Sequence, residues 1–203
     1  MKLYDGGRAP NPRRVRIFLA EKGITVPTEP VDIGAMQHKS EAFKALNPLQ
    51  RLPVLVLDDG TVLTESIAIC RYFETLQPEP VLFGAGAKDV ALVEMWQRRI
   101  ELNLLASIQA VFRHLHPSMQ ALEKPQVADW GEVNKPRVMD FLALFDRELG
   151  NRRYAASDAY SVADITAMVA ADFMKPAKLT APAELKHIAR WYAEVAARPS
   201  AKA

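Results

Sequence analysis

The stretch Gln50-Arg51-Leu52-Pro53-Val54-Leu55-Val56-Leu57-Asp58-Asp59-Gly60-Thr61-Val62-Leu63-Thr64-Glu65-Ser66 decides the fold. Val54 to Leu57 is a run of β-branched and leucine residues, the mark of a short buried strand. Asp59-Gly60 is a strong hairpin signal, and Val62-Leu63 supplies the return strand. Pro53 has no N–H for a ladder, so it belongs at a strand's start or edge. The peptide before a proline is also the only kind that is cheaply cis. Glu65 and Ser66 stand where a helix begins, beside unpaired N–H groups and a partial positive charge. A ligand carrying a carboxylate suits that position.

Toward the N-terminus, Lys2-Leu3-Tyr4 is a first strand and Gly6 to Pro12 a turn cluster. Asn11 suits an N-cap and Pro12 the first helical position. The helix runs from Arg13 to Lys22, with Val15, Phe18 and Leu19 at three-to-four spacing, and Gly23 ends it. Thr25 to Ile33 is a second strand that Pro27 and Pro30 confine to a broken or edge position. Ser40 to Leu46 is a short helix before Asn47-Pro48. Glu65 to Thr75 is a third, with Ile67, Ile69, Tyr72, Phe73 and Leu76 toward a core. The order β-α-β-α-β-β-α over residues 1–76 predicts a mostly parallel sheet with an antiparallel hairpin at one edge.

Residues 77–87, opening on Gln77-Pro78-Glu79-Pro80, form a linker, and from 88 to 203 every long segment is helical. The segments are Val90 to Leu115, Val133 to Leu149, Ser161 to Met174 and Glu184 to Arg198. The fold class is therefore α/β plus all-α. Ser161 and Asp164 form a capping box that starts a buried helix, a structural device.

With 49% hydrophobic and 25% charged residues, the 203-residue chain has ample means to bury a core. A net charge of +2 gives no ground for nucleic acid or a membrane surface as partner. No apolar span is long enough for a transmembrane helix, and the N-terminus lacks a signal-peptide run. The single Cys70 forms no intrachain disulfide, which fits a reducing compartment, and its place inside a helix suits a buried thiol. Arg13, Arg14 and Arg16 read as a solvated face, with Arg14 alternatively able to reach a binding site or a partner subunit.

Ala9-Pro10-Asn11-Pro12-Arg13-Arg14-Val15, Asn47-Pro48, Leu52-Pro53-Val54-Leu55 and Thr64-Glu65-Ser66-Ile67-Ala68-Ile69 follow one another at fixed spacing. Ser161-Val162-Ala163-Asp164-Ile165-Thr166, Arg190-Trp191-Tyr192 and Arg198-Pro199-Ser200 continue the series. This ordered set spans nearly the whole chain. It resembles cytosolic glutathione transferases, most closely the bacterial and fungal branch that includes a yeast enzyme. The resemblance implies a thioredoxin-like glutathione-binding domain and an all-helical domain that contributes the pocket for a hydrophobic electrophile. It also implies glutathione as co-substrate, no metal, a homodimer, a cytoplasmic location and a role in detoxification.

By the same resemblance, the backbone of Leu52, before a cis Pro53, pairs with the cysteinyl part of glutathione. Ser66 holds the γ-glutamyl carboxylate at the helix N-terminus, and Glu65 pairs with the ammonium; helix capping is their plainer role. His38 and Lys39 meet the glycyl carboxylate, or form a solvated loop pair. Asn11 either donates to the thiolate or caps its helix; no Tyr, Ser or Cys stands among Arg8 to Arg14 to do so. His114, preferred over His116, acts on the thiol through water or places a cation at a helix C-terminus. Asn103 and Ser107 line the electrophile pocket or are half-buried spacers. The thiolate would attack an electrophilic carbon in a cleft between the domains. The same fold also admits peroxide or disulfide reduction by bound glutathione, or a non-enzymatic binding module.

Overall fold

In the computed structural model, which describes residues 1–203, the hairpin joins the chain's first strand. β1 (Lys2–Asp5) lies between β2 (Thr28–Pro30) and β3 (Val54–Val56), and β4 (Val62–Thr64) completes the order β2-β1-β3-β4. β1 runs parallel to β2, but β1 with β3 and β3 with β4 are antiparallel. The sheet is thus mixed, not mostly parallel as expected. Different helices connect these strands. α1 (Pro10–Lys22) has 13 residues, about 20 Å of rise, enough to return the chain along the sheet. α2 (Glu41–Leu46) has 6 residues, about 9 Å, and the chain enters β3 in the opposite sense.

β2 is shorter than the Thr25 to Ile33 run and exposed throughout, at the edge its prolines dictate. The hairpin closes with the Leu57 N–H donating to the Thr61 carbonyl at 2.9 Å, and Gly60 takes φ +84° there. Strand alternation sorts the core. Val54, with Tyr4, Val56 and Val62, packs in a cluster with Phe43 of α2, and Tyr4 meets the Phe43 ring edge-on. Leu3 and Leu55, of the opposite alternation, are buried, as are Val15 and Phe18 of α1 and Ile69 and Phe73 of α3 (Ser66–Leu76). Leu76, expected in the core, is 58% exposed because it is the last residue of α3, where the helix runs out.

The chain divides into two compact units, residues 1–81 with 199–203, and residues 82–198. These bounds differ from a linker over 77–87 and a second domain over 88–203. Residues 77–80 are tied down by the buried Lys22, whose Nζ donates to the carbonyls of Gln77, Pro78 and Pro80 at 2.9, 2.9 and 2.6 Å. The same ammonium pairs with Glu74 at 2.5 Å. The C-terminal turn joins the first unit because Arg13 donates to the Ala201 carbonyl at 3.0 Å and the Ser200 hydroxyl to the Glu21 carboxylate.

In the second unit, α4 (Gly86–Arg99), a π-helical segment (Ile100–Leu105) and α5 (Ala106–Leu115) form a continuous helix that begins before the expected Val90. α6 (Ala128–Leu149) likewise begins before the expected Val133, and α7 (Val162–Met174) and α8 (Lys186–Ala196) follow. Trp96, Ile100, Leu104, Ile108 and Val111 are buried, with Val138, Leu142, Phe145, Leu149 and Trp191. α7 is buried on every side from Val162 to Ala170. Its capping box is present, and Asp164 does more than cap. Oδ1 accepts from the Ala155 N–H at 2.7 Å and from Trp191 Nε1 at 2.8 Å, while Oδ2 accepts from the Ser161 N–H and hydroxyl at 3.0 Å.

Burial pushes the Asp164 carboxyl up to about 6 from an ordinary 3.8, against the donors that pull it down. The folded chain therefore holds this proton more tightly than the unfolded chain. That contribution to stability is fully present below about pH 3.8 and is lost as pH rises through about 6. Native stability measured by urea unfolding, taken relative to Asp164→Asn, should fall between about pH 4 and pH 7, by up to about 3 kcal/mol. A pH-independent difference would contradict the assignment.

Candidate functional site

The register gathers the sequence-predicted residues of the first unit at one end of the sheet. Asp5 at the end of β1 pairs with Pro30, Tyr4 with Val54, and Val54 with Thr64. The loop into α1, the loop after β2, the Leu52-Pro53 approach to β3 and the Glu65-Ser66 exit from β4 therefore emerge together.

Asn47 shapes the approach to β3. It is 3% exposed; its Nδ2 donates to the Arg51 carbonyl at 2.9 Å and its Oδ1 accepts from the Leu49 N–H at 3.1 Å. The Gln50 N–H donates to the Asn47 carbonyl at 2.8 Å. The Leu52–Pro53 peptide that follows is cis, and the ladder starts only at Val54, so the Leu52 backbone stands outside it. A Cβ on Gly6 would come within 2.7 Å of Ile33 Cδ1 and 3.0 Å of Leu52 Cδ1, so glycine lets the β1–α1 loop close on Leu52. The Asn47 side-chain bonds were missed from sequence. Their only signal was an Asn opening a turn, a residue that characteristically bonds the backbone two positions on.

Glu65 takes φ +64°, unusual for a residue with a side chain, and makes no side-chain capping bond. It is exposed, whereas Ser66, the first residue of α3, is buried. The first N–H groups of α3 lie here, where a helix leaves donors unmet and its dipole favours an anion. The side-chain arrangement thus provides a carboxylate on the outside and a donor cluster within.

His38 and Lys39 close a 3₁₀ turn, Gln37–Lys39, before Ser40 caps α2 by accepting from the Phe43 N–H at 3.2 Å. They are not an equivalent solvated pair: His38 is buried and Lys39 exposed.

Asn11 is not the cap of α1. Ala9 holds that place with an extended backbone, as suits a residue before proline, and Pro10 takes the first helical position expected of Pro12. Asn11 lies in the first turn, with Oδ1 accepting from Arg14 Nη2 at 3.0 Å. The arginines are not a solvated face either. Arg14 is 3% exposed, Arg13 reaches Ala201, and Arg16 Nη1 pairs with Asp5 Oδ2 at 2.6 Å. Asp5 also accepts from the Gly7 N–H at 2.7 Å, which sets the loop leading to Asn11.

In the second unit, the Val127 N–H donates to His114 Nδ1 at 3.0 Å, which ties α5 to the start of α6. His116 accepts from the Ser118 N–H at 3.2 Å and stacks on Phe112. Asn103 donates to the Arg99 carbonyl at 2.9 Å from within the π-helical segment. Asn103 and Ser107 do come together: with Leu102, Arg137, Asp140 and Phe141 they line a cleft of about 400 Å³. The π turn that carries Asn103 has no compositional mark and was not foreseen.

Residues 9–76 match the glutathione S-transferase N-terminal domain, and residues 105–199 the glutathione S-transferase C-terminal domain. The chain belongs to the glutathione S-transferase family. It is 35% identical over 205 residues to glutathione S-transferase 2 of Saccharomyces cerevisiae, covering 100% of this chain and 88% of that protein. The crystal structure of Gtt2 from the same yeast superposes with a TM-score of 0.95 at 35% identity, covering 100% of this chain and 99% of that one. A glutathione S-transferase domain-containing protein from Marinobacter aquaeolei superposes with a TM-score of 0.95 at 40% identity, covering 98% and 99%. A maleylacetoacetate isomerase of Pseudomonas aeruginosa is 29% identical over 175 residues, covering 81% of this chain and 77% of that protein.

Asn47→Ala should remove the bonds that the buried Asn47 side chain makes to the Leu49 N–H and the Arg51 carbonyl and destabilise the family fold by about 1 kcal/mol in thermal unfolding. Asn47→Asp, which keeps the acceptor, should lose less. No loss from Asn47→Ala would show that the turn is held another way.

Proposed function

We propose that the chain binds glutathione at this end of the sheet and transfers its thiolate to a hydrophobic electrophile. The observation that supports this most is the convergence of an unladdered Leu52 backbone, before a cis proline, with the N-terminus of α3. A tripeptide laid there as an extended strand pairs its cysteinyl N–H and C=O with Leu52. Its γ-glutamyl carboxylate meets Ser66 and the first N–H groups of α3, and its ammonium meets the exposed Glu65. Lys39 supplies a point charge and His38 a donor for the glycyl carboxylate.

The thiol must lose its proton near neutral pH, and a thiol beside a helix N-terminus and a hydrogen-bond donor is more acidic. Asn11, in the first turn of α1, is our assignment for that donor. Its amide neither accepts a proton nor acts as a nucleophile, so the thiol's proton leaves to water and the chemistry is positioning and anion stabilisation. The sulfur forms a bond to the electrophilic carbon, and the leaving group departs with its electron pair. Cys70 plays no part, because burial pushes its thiol up and keeps it protonated. His114 is a second candidate for assisting deprotonation through water. Asn103 and Ser107 belong in this reading to the wall that receives the electrophile.

We further propose that the protein acts as a homodimer in the cytoplasm, in detoxification. Exposed Leu102, Trp130 and Val133 on the second unit's helices offer apolar surface to a second copy.

Calorimetric titration with glutathione and with S-hexylglutathione tests the binding step. Ser66→Ala should weaken glutathione about tenfold, the loss of one hydrogen bond to a charged group. Failure of the native chain to bind either ligand would contradict the proposal. Turnover should then follow with an activated aryl halide. Turnover with an organic hydroperoxide alone would move the activity to reduction, and binding without turnover on either would favour a binding module.

A further inference from the structure

Arg14 is buried in the first turns of α1, and its Nη2 donates to Asn11 Oδ1 at 3.0 Å. A guanidinium has five donors and no acceptor. Whichever way an amide is drawn, the atom facing Arg14 must therefore be the oxygen. Arg14 is 3% exposed, whereas Asn11 is half-buried. The oxygen is held on the protein side, and the amide N–H pair is left on the other.

We propose that Arg14 is a positioning residue that holds the Asn11 oxygen so that the amide presents its N–H groups, and not its oxygen, to the sulfur of bound glutathione. This rests on the assignment of Asn11 above. The distinction matters because the two ends of an amide have opposite effects on a thiolate: the N–H end donates to it, while the oxygen repels it. Without Arg14 the amide is free to turn. The guanidinium also draws electron density toward the oxygen, which makes the N–H a stronger donor.

Two groups of α3 face the same region: Cys70, which feels the Arg14 charge, stays a neutral thiol through burial, and Glu74 pairs with Lys22 at 2.5 Å. Arg13 and Arg16 on the same helix are engaged by Ala201 and Asp5.

The test is the ionisation of the bound glutathione thiol, followed by thiolate absorbance against pH, with the glutathione Kd measured alongside. Asn11→Ala should raise the thiol's pKa by about one unit, a tenfold change in ionisation. Arg14→Met should raise it in the same direction while changing Kd, measured at a pH below the pKa of the bound thiol, less than about twofold, and Arg14→Lys, which keeps a donor, should restore most of the native value. The double variant should match Asn11→Ala alone, because both act through one amide. Asn11→Asp, which keeps an oxygen for Arg14 but has no N–H, should shift the ionisation at least as far as Asn11→Ala, and it serves even if Arg14→Met does not fold. A native ionisation in Arg14→Met, or additive shifts in the double variant, would overturn the role of Arg14 while leaving Asn11 in place. No shift in Asn11→Ala or in Asn11→Asp would instead remove Asn11, and Arg14 with it.

Discussion

The pairing of β1 with β3, and of β3 with β4, is the constraint on which the rest depends. Tyr4 lies opposite Val54 and Val54 opposite Thr64. That register alone brings the start of α1, the Leu52-Pro53 peptide and the start of α3 to the same end of the sheet. A slip of one residue would turn Val54 and Val56 away from Phe43 and expose the core face. The core and the site are thus held by one set of backbone bonds, so the residues that contact ligand in our reading need few side-chain requirements of their own. Leu52 offers only backbone, and α3 offers its first N–H groups.

Charged side chains complete this arrangement from inside the protein, where arginine and lysine are rarely found without partners. Asp5 and Arg16 set the loop before α1, Lys22 gathers the carbonyls of residues 77–80, and Arg14 reaches Asn11. Asp164 plays the corresponding part in the second unit, where one carboxylate joins the start of α7 to Trp191 of α8. Asp5, Lys22 and Asp164 are each buried ions matched by several donors or acceptors, which offsets the cost of taking them out of water.

What was legible in the sequence was local. A proline opening a β-branched run, an Asp-Gly turn and a hydroxyl before an apolar helix each act within a few residues, and all of them were found where expected. Ser161 and Asp164 were legible for the same reason. Strand direction was not, because it is set by long-range pairing between β1 and β3, which local residue patterns do not reveal. The start of α1 was read at Pro12 and lies at Pro10, a second proline that fits the same slot. The burial of Arg14 is a tertiary outcome that no pattern among Arg13, Arg14 and Arg16 reveals. The π turn at Ile100–Leu105 leaves no trace in residue type, so the spacing of Asn103 and Ser107 suggested a shared pocket but not the turn that carries Asn103.

The claim that carries the whole reading is that the Leu52 backbone and the N-terminus of α3 form one glutathione platform. The most direct measurement is a glutathione titration of the ¹⁵N-labelled full chain, following backbone amide shifts. The account predicts saturable shifts at Leu52, Ser66 and Ile67 with one common Kd. Saturable binding that leaves those amides unmoved while shifting others would contradict it.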